Sequence, residues 1–136
     1  MAIYKFDTEI ADTVKLLNKI EGVYPASSCG GHENPKNSGI KIQCPLGCFY
    51  IILQIKNEEF FNILNETIAF YNEDEPLIEF EYNPLYKTWW IGSSNVFKDD
   101  VLIPLAESYL KETKKYKPKD DWDMYSSYCQ KPIRIK

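Results

Sequence analysis

The sequence lacks any long apolar stretch. Its longest uninterrupted run sits at Phe49–Leu53, whereas a helix that crosses a bilayer needs about 20 consecutive apolar residues. It also lacks a basic lead followed by an apolar core, since it starts Met1-Ala2-Ile3-Tyr4-Lys5-Phe6-Asp7. No secretory signal or membrane segment is expected, and the four cysteines read as thiols or metal ligands rather than a disulfide framework. Positive charge is in deficit, with 16 Lys and Arg against 20 Asp and Glu and a net charge of −4. An acidic balance makes approach to a polyanion costly, so general nucleic-acid binding is not expected. The cluster Lys111, Lys114, Lys115, Lys117 and Lys119 is followed at once by Asp120, Asp121 and Asp123, and reads as a solvated helix end. Histidine is reduced to one residue, His32. There is no P-loop, dinucleotide fingerprint or metalloprotease signature. Together these absences predict a cytoplasmic protein.

What is present is aromatic mass: ten Tyr, seven Phe and three Trp in 136 residues. The length fits one domain, 1–136, and 44% hydrophobic with 26% charged residues is ordinary globular composition. Ile10, Val14, Leu17 and Ile20 recur at helical spacing after Asp7, a good N-cap, with Gly22 as a stop. Val23 to Ala26 reads as extended ahead of a loop from Ser27 to Gly39. Ile40 and Ile42, a turn at Pro45-Leu46-Gly47 and the run Phe49–Leu53 predict a hairpin. Asn57 caps a second helix with Phe60, Phe61, Leu64, Ile68 and Tyr71 on its apolar face, stopped at Glu73-Asp74-Glu75-Pro76. Leu77 to Tyr82 and Tyr86 to Ile91 predict a second hairpin through Asn83-Pro84, and a third helix starts between Asp99 and Pro104. The expected fold is α+β: a largely antiparallel sheet of four or five strands with about three helices mainly on one face. The tail, 120–136, carries Trp122, Tyr125, Tyr128 and Ile133, too much apolar area for a free terminus, and is expected to pack on the domain or a partner.

Chemistry concentrates in Ser27-Ser28-Cys29-Gly30-Gly31-His32-Glu33-Asn34. Two glycines let a ligand approach the main chain, and Ser27, Ser28 and the backbone amides can donate to an anion. Cys29 and His32 are candidates for nucleophile and base. The plainer alternative is a surface turn with a buried Cys at its root. Cys29, His32, Cys44 and Cys48 also supply four donors of the kind tetrahedral zinc accepts, although three residues instead of two separate Cys44 from Cys48. Alternatively, Cys44 and Cys48 flank a turn as partly buried hydrophobes or pair reversibly, and Cys129 is structural. Strand alternation sends Trp89 and Trp90 to opposite faces, one into the core and one onto a surface that a flat ligand or a covering element can use. Glu79 and Glu81 share a strand face and read as solvated.

A helix leading to aromatic-x-x-Ser-Ser-Cys-x-Gly, here Tyr24, Ser27, Ser28, Cys29 and Gly31, resembles the N-terminal signature of the wybutosine-pathway tRNA methyltransferase family. The resemblance covers residues 10 to 32. The family motif reads Ser-Ser-Cys-Ser-Gly-Arg, so Gly30 stands in place of a serine and His32 in place of an arginine. The resemblance implies S-adenosylmethionine-dependent modification of a tRNA base, with this loop near substrate or cofactor. Two classes of function follow. One is a binding or regulatory module in which the Ser27–Asn34 loop takes a small anionic ligand or a protein segment; the other is the methyltransferase-like enzyme.

Overall fold

The computed structural model describes residues 3–4, 8–33, 35, 43–118 and 134–135. In chain order the elements are β1 (Ile3–Tyr4), α1 (Thr8–Asn18), β2 (Val23–Cys29), β3 (Cys48–Ile55), α2 (Glu58–Tyr71), β4 (Glu79–Asn83), β5 (Thr88–Ser94), α3 (Asn95–Phe97), a π-helical segment Lys98–Leu102, α4 (Ile103–Thr113) and β6 (Arg134–Ile135). Four strands form an antiparallel sheet in the order β2-β3-β5-β4, and β1 pairs separately with β6. With α3, the π segment and α4 forming one continuous helix, three helices accompany the sheet, so the expected α+β class is the observed one.

The helices cover one face because alternation in the strands supplies it. Phe49, Ile51 and Leu53 of β3 and Ile91 of β5 join Ile10, Val14 and Leu17 of α1, Phe60, Leu64 and Ile68 of α2, and Ala106, Tyr109 and Leu110 of α4 in a single buried cluster. Burying one such Leu, Ile or Phe side chain contributes roughly 1.5–3 kcal/mol. The opposite face carries the alternate residues: Tyr24, Cys29, Tyr50, Ile52, Trp90, Glu79 and Glu81. Trp89 and Trp90 do part as expected. Trp89 packs with Phe61, Phe80 and Tyr82 beneath the helices, and Trp90 lies on the other face.

Several expectations need correction. Ser27, Ser28 and Cys29 are not loop but the last residues of β2, paired with Ile52, Ile51 and Tyr50. A register shift between Pro25 and Ser27 lets the strand continue past the proline, as a bulge does. The strand partners of β3 are β2 and β5; Ile40 and Ile42, which were to form its hairpin, lie outside the described residues, as do Asp7, Asn34, Trp122, Tyr125, Tyr128, Cys129 and Ile133. Helix α1 has already ended when the chain reaches Gly22, whose φ of +79° instead serves the turn in which the Val23 N–H donates to Ile20 O. The third helix begins at Asn95, well ahead of the expected start. Pro104 has no N–H to donate, and the chain reaches it through the π segment, where the Ile103 N–H bonds Lys98 O five residues back. The wider turn ahead of the proline lets helical backbone continue through it. Finally, the lysine cluster is not uniformly solvated. Lys111, Lys114 and Lys115 are exposed, but Lys117 is 3% exposed, donates to Asn18 Oδ1 at 2.6 Å and sits 4.1 Å from the centre of the Tyr24 ring. A cation–π contact and a side-chain acceptor offset the cost of burying that ammonium.

Among the described residues no helix is long and apolar enough to cross a membrane.

Candidate functional site

The chain ends of three strands gather at one end of the sheet. Cys29 closes β2, Cys48 opens β3, and Ser94 closes β5 opposite Cys48. The diglycine segment turns away from β2 and lies against the tight turn Pro45–Cys48. The His32 N–H donates to Cys44 O at 2.8 Å, His32 and Pro45 form a parallel bridge, and the Cys48 N–H returns to Pro45 O at 3.2 Å. Gly47 takes φ +85° at the third position of that turn, as a type II turn requires. Gly31 has φ +105°, and a Cβ there would meet the carbonyl oxygens of Cys48 and Pro45 at 3.0 Å. The second glycine is therefore fixed by chain packing, whatever else approaches the segment.

This corner brings three thiols together. Cys29 is 2% exposed, while Cys44 and Cys48 are half-buried, and all three are unpaired thiols. The Cys44 N–H points at Cys29 Sγ (3.4 Å), and Cys44 Sγ lies 3.6 Å from Cys29 O and 3.5 Å from Cys48 O. Burial, a hydrogen bond with the Cys29 thiol and repulsion from Cys29 and Cys48 push the Cys44 thiol from 9.0 up to about 12. Cys44 is thus held as a neutral donor, a poor nucleophile at neutral pH. The four-ligand zinc arrangement does not form. Among the described residues no three His, Cys, Asp or Glu side chains are placed to share a metal ion, and His32 reaches Cys44 through its backbone amide.

Beside Cys29, on the face opposite the described helices, lies Tyr50, its cross-strand partner, stacked on Trp90 with ring centroids 4.2 Å apart and planes 15° from parallel. Gly92 makes that stack possible: a Cβ on it would stand 2.9 Å from Trp90 Nε1. Among the described residues the indole Nε1 is buried without a hydrogen-bond partner, an unsatisfied donor that costs roughly 1–3 kcal/mol. A glycine two residues after a tryptophan within a strand was the available sequence signal for such a close approach.

Around the same end, large apolar side chains stay in water. Leu46, Val96, Leu77 and Phe70 are 63, 67, 55 and 68% exposed. Backbone and side-chain contacts tie their segments together, with the Asn95 N–H on Gly47 O at 2.8 Å, the Ser93 hydroxyl on Leu77 O at 2.9 Å, and the Tyr71 ring edge-on to Phe97.

The opposite end is built from polar side chains that satisfy one another. Asn57 Oδ1 accepts from the Phe60 N–H as the cap of α2, and its Nδ2 donates to Glu21 O and to the Tyr109 hydroxyl, each at 2.9 Å. That hydroxyl donates to Glu59 Oε1 at 2.8 Å, which also takes Lys115 Nζ at 3.0 Å. Lys115 first, and Tyr109 second, hold the Glu59 carboxyl below its usual range. Burial raises the Tyr109 phenol, a shift that the Asn57 hydrogen bond opposes and Glu59 reinforces. An open groove of about 490 Å³ passes between α2 and α4 over Glu59, Ile63, Leu105 and Tyr109, and another of about 290 Å³ lies between α1 and α4. Neither is lined by any residue of Ser27 to His32.

No protein-family model matches the chain, and neither curated proteins nor solved structures gave a match.

Proposed function

We propose that this chain is a binding or regulatory module whose Ser27–Asn34 segment, with the turn it packs on, captures a segment of another protein. The observation that carries the reading is the ring of exposed Leu46, Leu77, Val96 and Phe70 around the end of the sheet where Cys29 to His32 emerge. Scattered single apolar residues on a surface are normal, but several large ones on adjoining segments mark contact surfaces. Among the described residues β2 is an edge strand of the sheet, beside these side chains. An apolar anchor in such a rim supplies affinity, while the glycine backbone supplies directional hydrogen bonds.

The test uses peptides selected by display on the purified chain, titrated into isotope-labelled protein and followed by amide chemical shifts. Shifts at Gly30, Gly31 and His32, lost when Leu46→Ser and Val96→Ser are combined, are the expected result. Equal binding by that double variant sinks the proposal. Inorganic phosphate and S-adenosylmethionine are titrated in parallel: saturation of the corner by either one, with no selected peptide bound there, replaces the peptide reading with an anion-binding or methyltransferase-like one.

A further inference from the structure

Cys29 and Cys44 face each other across 15 residues of sequence, with the Cys44 amide 3.4 Å from Cys29 Sγ and the Cys44 sulfur 3.6 Å from the Cys29 carbonyl. Their surroundings keep them together. Cys29 is paired to Tyr50 in the sheet, the His32 amide is tied to Cys44 O, and Gly31 is wedged against Pro45 and Cys48. Main chain and side chain of Cys44 both already touch Cys29, the amide at its sulfur and the thiol at its carbonyl, so bringing sulfur to sulfur asks for side-chain rotation more than backbone movement. Cys48 meets Cys44 through its backbone carbonyl, which lies 3.5 Å from Cys44 Sγ. From this arrangement we infer that Cys29 and Cys44 form a reversible intramolecular disulfide that locks the end of β2 to the segment before the Pro45–Cys48 turn. The disulfide stands on the contacts of Cys44 with the Cys29 sulfur and carbonyl; only its consequence for peptide capture rests on the binding reading above.

The chemistry balances with a low-molecular-weight disulfide of the glutathione type as oxidant. Cys44, the half-exposed member, attacks it as thiolate, forming a mixed disulfide and releasing one small thiol. Cys29 then gives up its proton to solvent and attacks Cys44 Sγ, expelling the second small thiol. Overall, two protein S–H bonds are lost and one S–S bond is made, and the oxidant is reduced to two thiols. The titratable side chains bearing on Cys44 are Cys29 from β2 and Cys48 from the start of β3, and both hold its proton on. At pH 7 only about one molecule in 10⁵ carries the Cys44 thiolate, so the first step is slow and quickens with alkali.

The experiment incubates the full chain with oxidised glutathione and reads intact mass, a fragmentation map of the cross-link, and melting temperature. Expected are a loss of about 2 Da reversed by dithiothreitol, a Cys29–Cys44 link with Cys48 and Cys129 still alkylated, and a rate rising about tenfold from pH 7 to pH 8. Closing a loop of this size raises the melting temperature by about 5–10 °C. Cys48→Ser oxidises like the native chain and Cys44→Ser does not. A link mapped to Cys44 and Cys48, a Cys48→Ser chain that stays reduced, or a mixed disulfide that Cys29 never resolves each overturns the inference. A mapped Cys29–Cys44 link in a chain that captures no peptide in either redox state overturns the binding reading alone. Peptide capture without any such link overturns the disulfide alone.

Discussion

The two ends of the sheet use glycine in the same conformation for different purposes. At Gly22 (φ +79°) a Cβ would stand 3.0 Å from Asn57, whose side-chain amide uses both its N–H groups and its oxygen in hydrogen bonds. At Gly31 (φ +105°) a Cβ would stand as close to two carbonyl oxygens. Buried Cys29, half-buried Cys44 and Cys48 and a buried indole N–H lie at that end of the sheet, and Leu46, Leu77, Val96 and Phe70 are exposed around it. One end is closed by a polar network, with Tyr82, Leu85 and Tyr86 of the β4–β5 hairpin exposed beside it, and the other carries exposed apolar side chains on the segments that meet at the Pro45–Cys48 turn. Uneven satisfaction within one small fold separates the part that holds the chain together from the part left available for contact.

Substitution separates the two ends. The largest effect falls on Gly31→Ala. The positive φ costs an alanine roughly 1–2 kcal/mol, and carbonyl oxygens, unlike a flexible side-chain tip, cannot swing away from the added methyl. A loss of about 2–3 kcal/mol in urea unfolding is expected, together with loss of peptide capture. Asn57→Ala comes next, at about 2 kcal/mol, since it removes a helix cap and two further hydrogen bonds. Its amide shifts at Gly30 to His32 should match the native chain. If Asn57→Ala disturbs the corner as strongly as its own end, the two ends are not independent and the comparison fails.

Much of the closed end was legible in the sequence and little of the corner was. Asn57 announces itself as a cap ahead of Phe60, Leu64 and Ile68, and the spacing of Ile10, Val14 and Leu17 gives α1, because local periodicity decides both. Ser27 to Cys29 carry no strand signal of their own; they are strand because Tyr50, Ile51 and Ile52 pair with them. The cysteine pattern suggested Cys29 with His32 and Cys44 with Cys48, and the fold, by returning the chain to β2, sets Cys44 against Cys29 as well as against the Cys48 carbonyl. Lys117 reads as one of a charged series, and its burial goes with contacts to Asn18 and the Tyr24 ring that are far from it in sequence. What sequence conveyed was local order; what it withheld were contacts made between distant segments.

Titration gives a smaller and more selective test of the corner. The folded state holds the Cys44 proton up to about pH 12 against 9.0 for a free thiol. Below pH 9 the thiol is protonated in both states and contributes no slope. Above it the unfolded chain releases a proton that the folded chain keeps, so stability falls as pH rises toward 12. Tyr109 and Lys115 also titrate to alkaline pH with raised values, so the native curve alone does not isolate the thiol. Subtracting the curve of Cys44→Ser does. The native chain should lose more stability than the variant between pH 8.5 and pH 10.5, and coincident slopes would mean that Cys44 is not shielded as its contacts suggest.

The smallest effect is expected where the closed end meets water. Glu59 and Lys115 form an ion pair at 3.0 Å with both side chains about half exposed, and an exposed pair of this kind adds little because solvent and salt screen it. Its sign is still readable. The carboxyl of Glu59 is depressed from 4.5, so the pair's contribution is present above that pH and fades as pH falls through the lower folded value. Lys115→Met should flatten the acid limb of the stability curve at low salt, and 1 M salt should erase the difference between the two chains. A Lys115→Met chain as destabilised as Asn57→Ala would mean that the ion pair, rather than the Asn57 amide, organises that end, and the contrast between an amide-closed end and an open corner would have to be redrawn around charge.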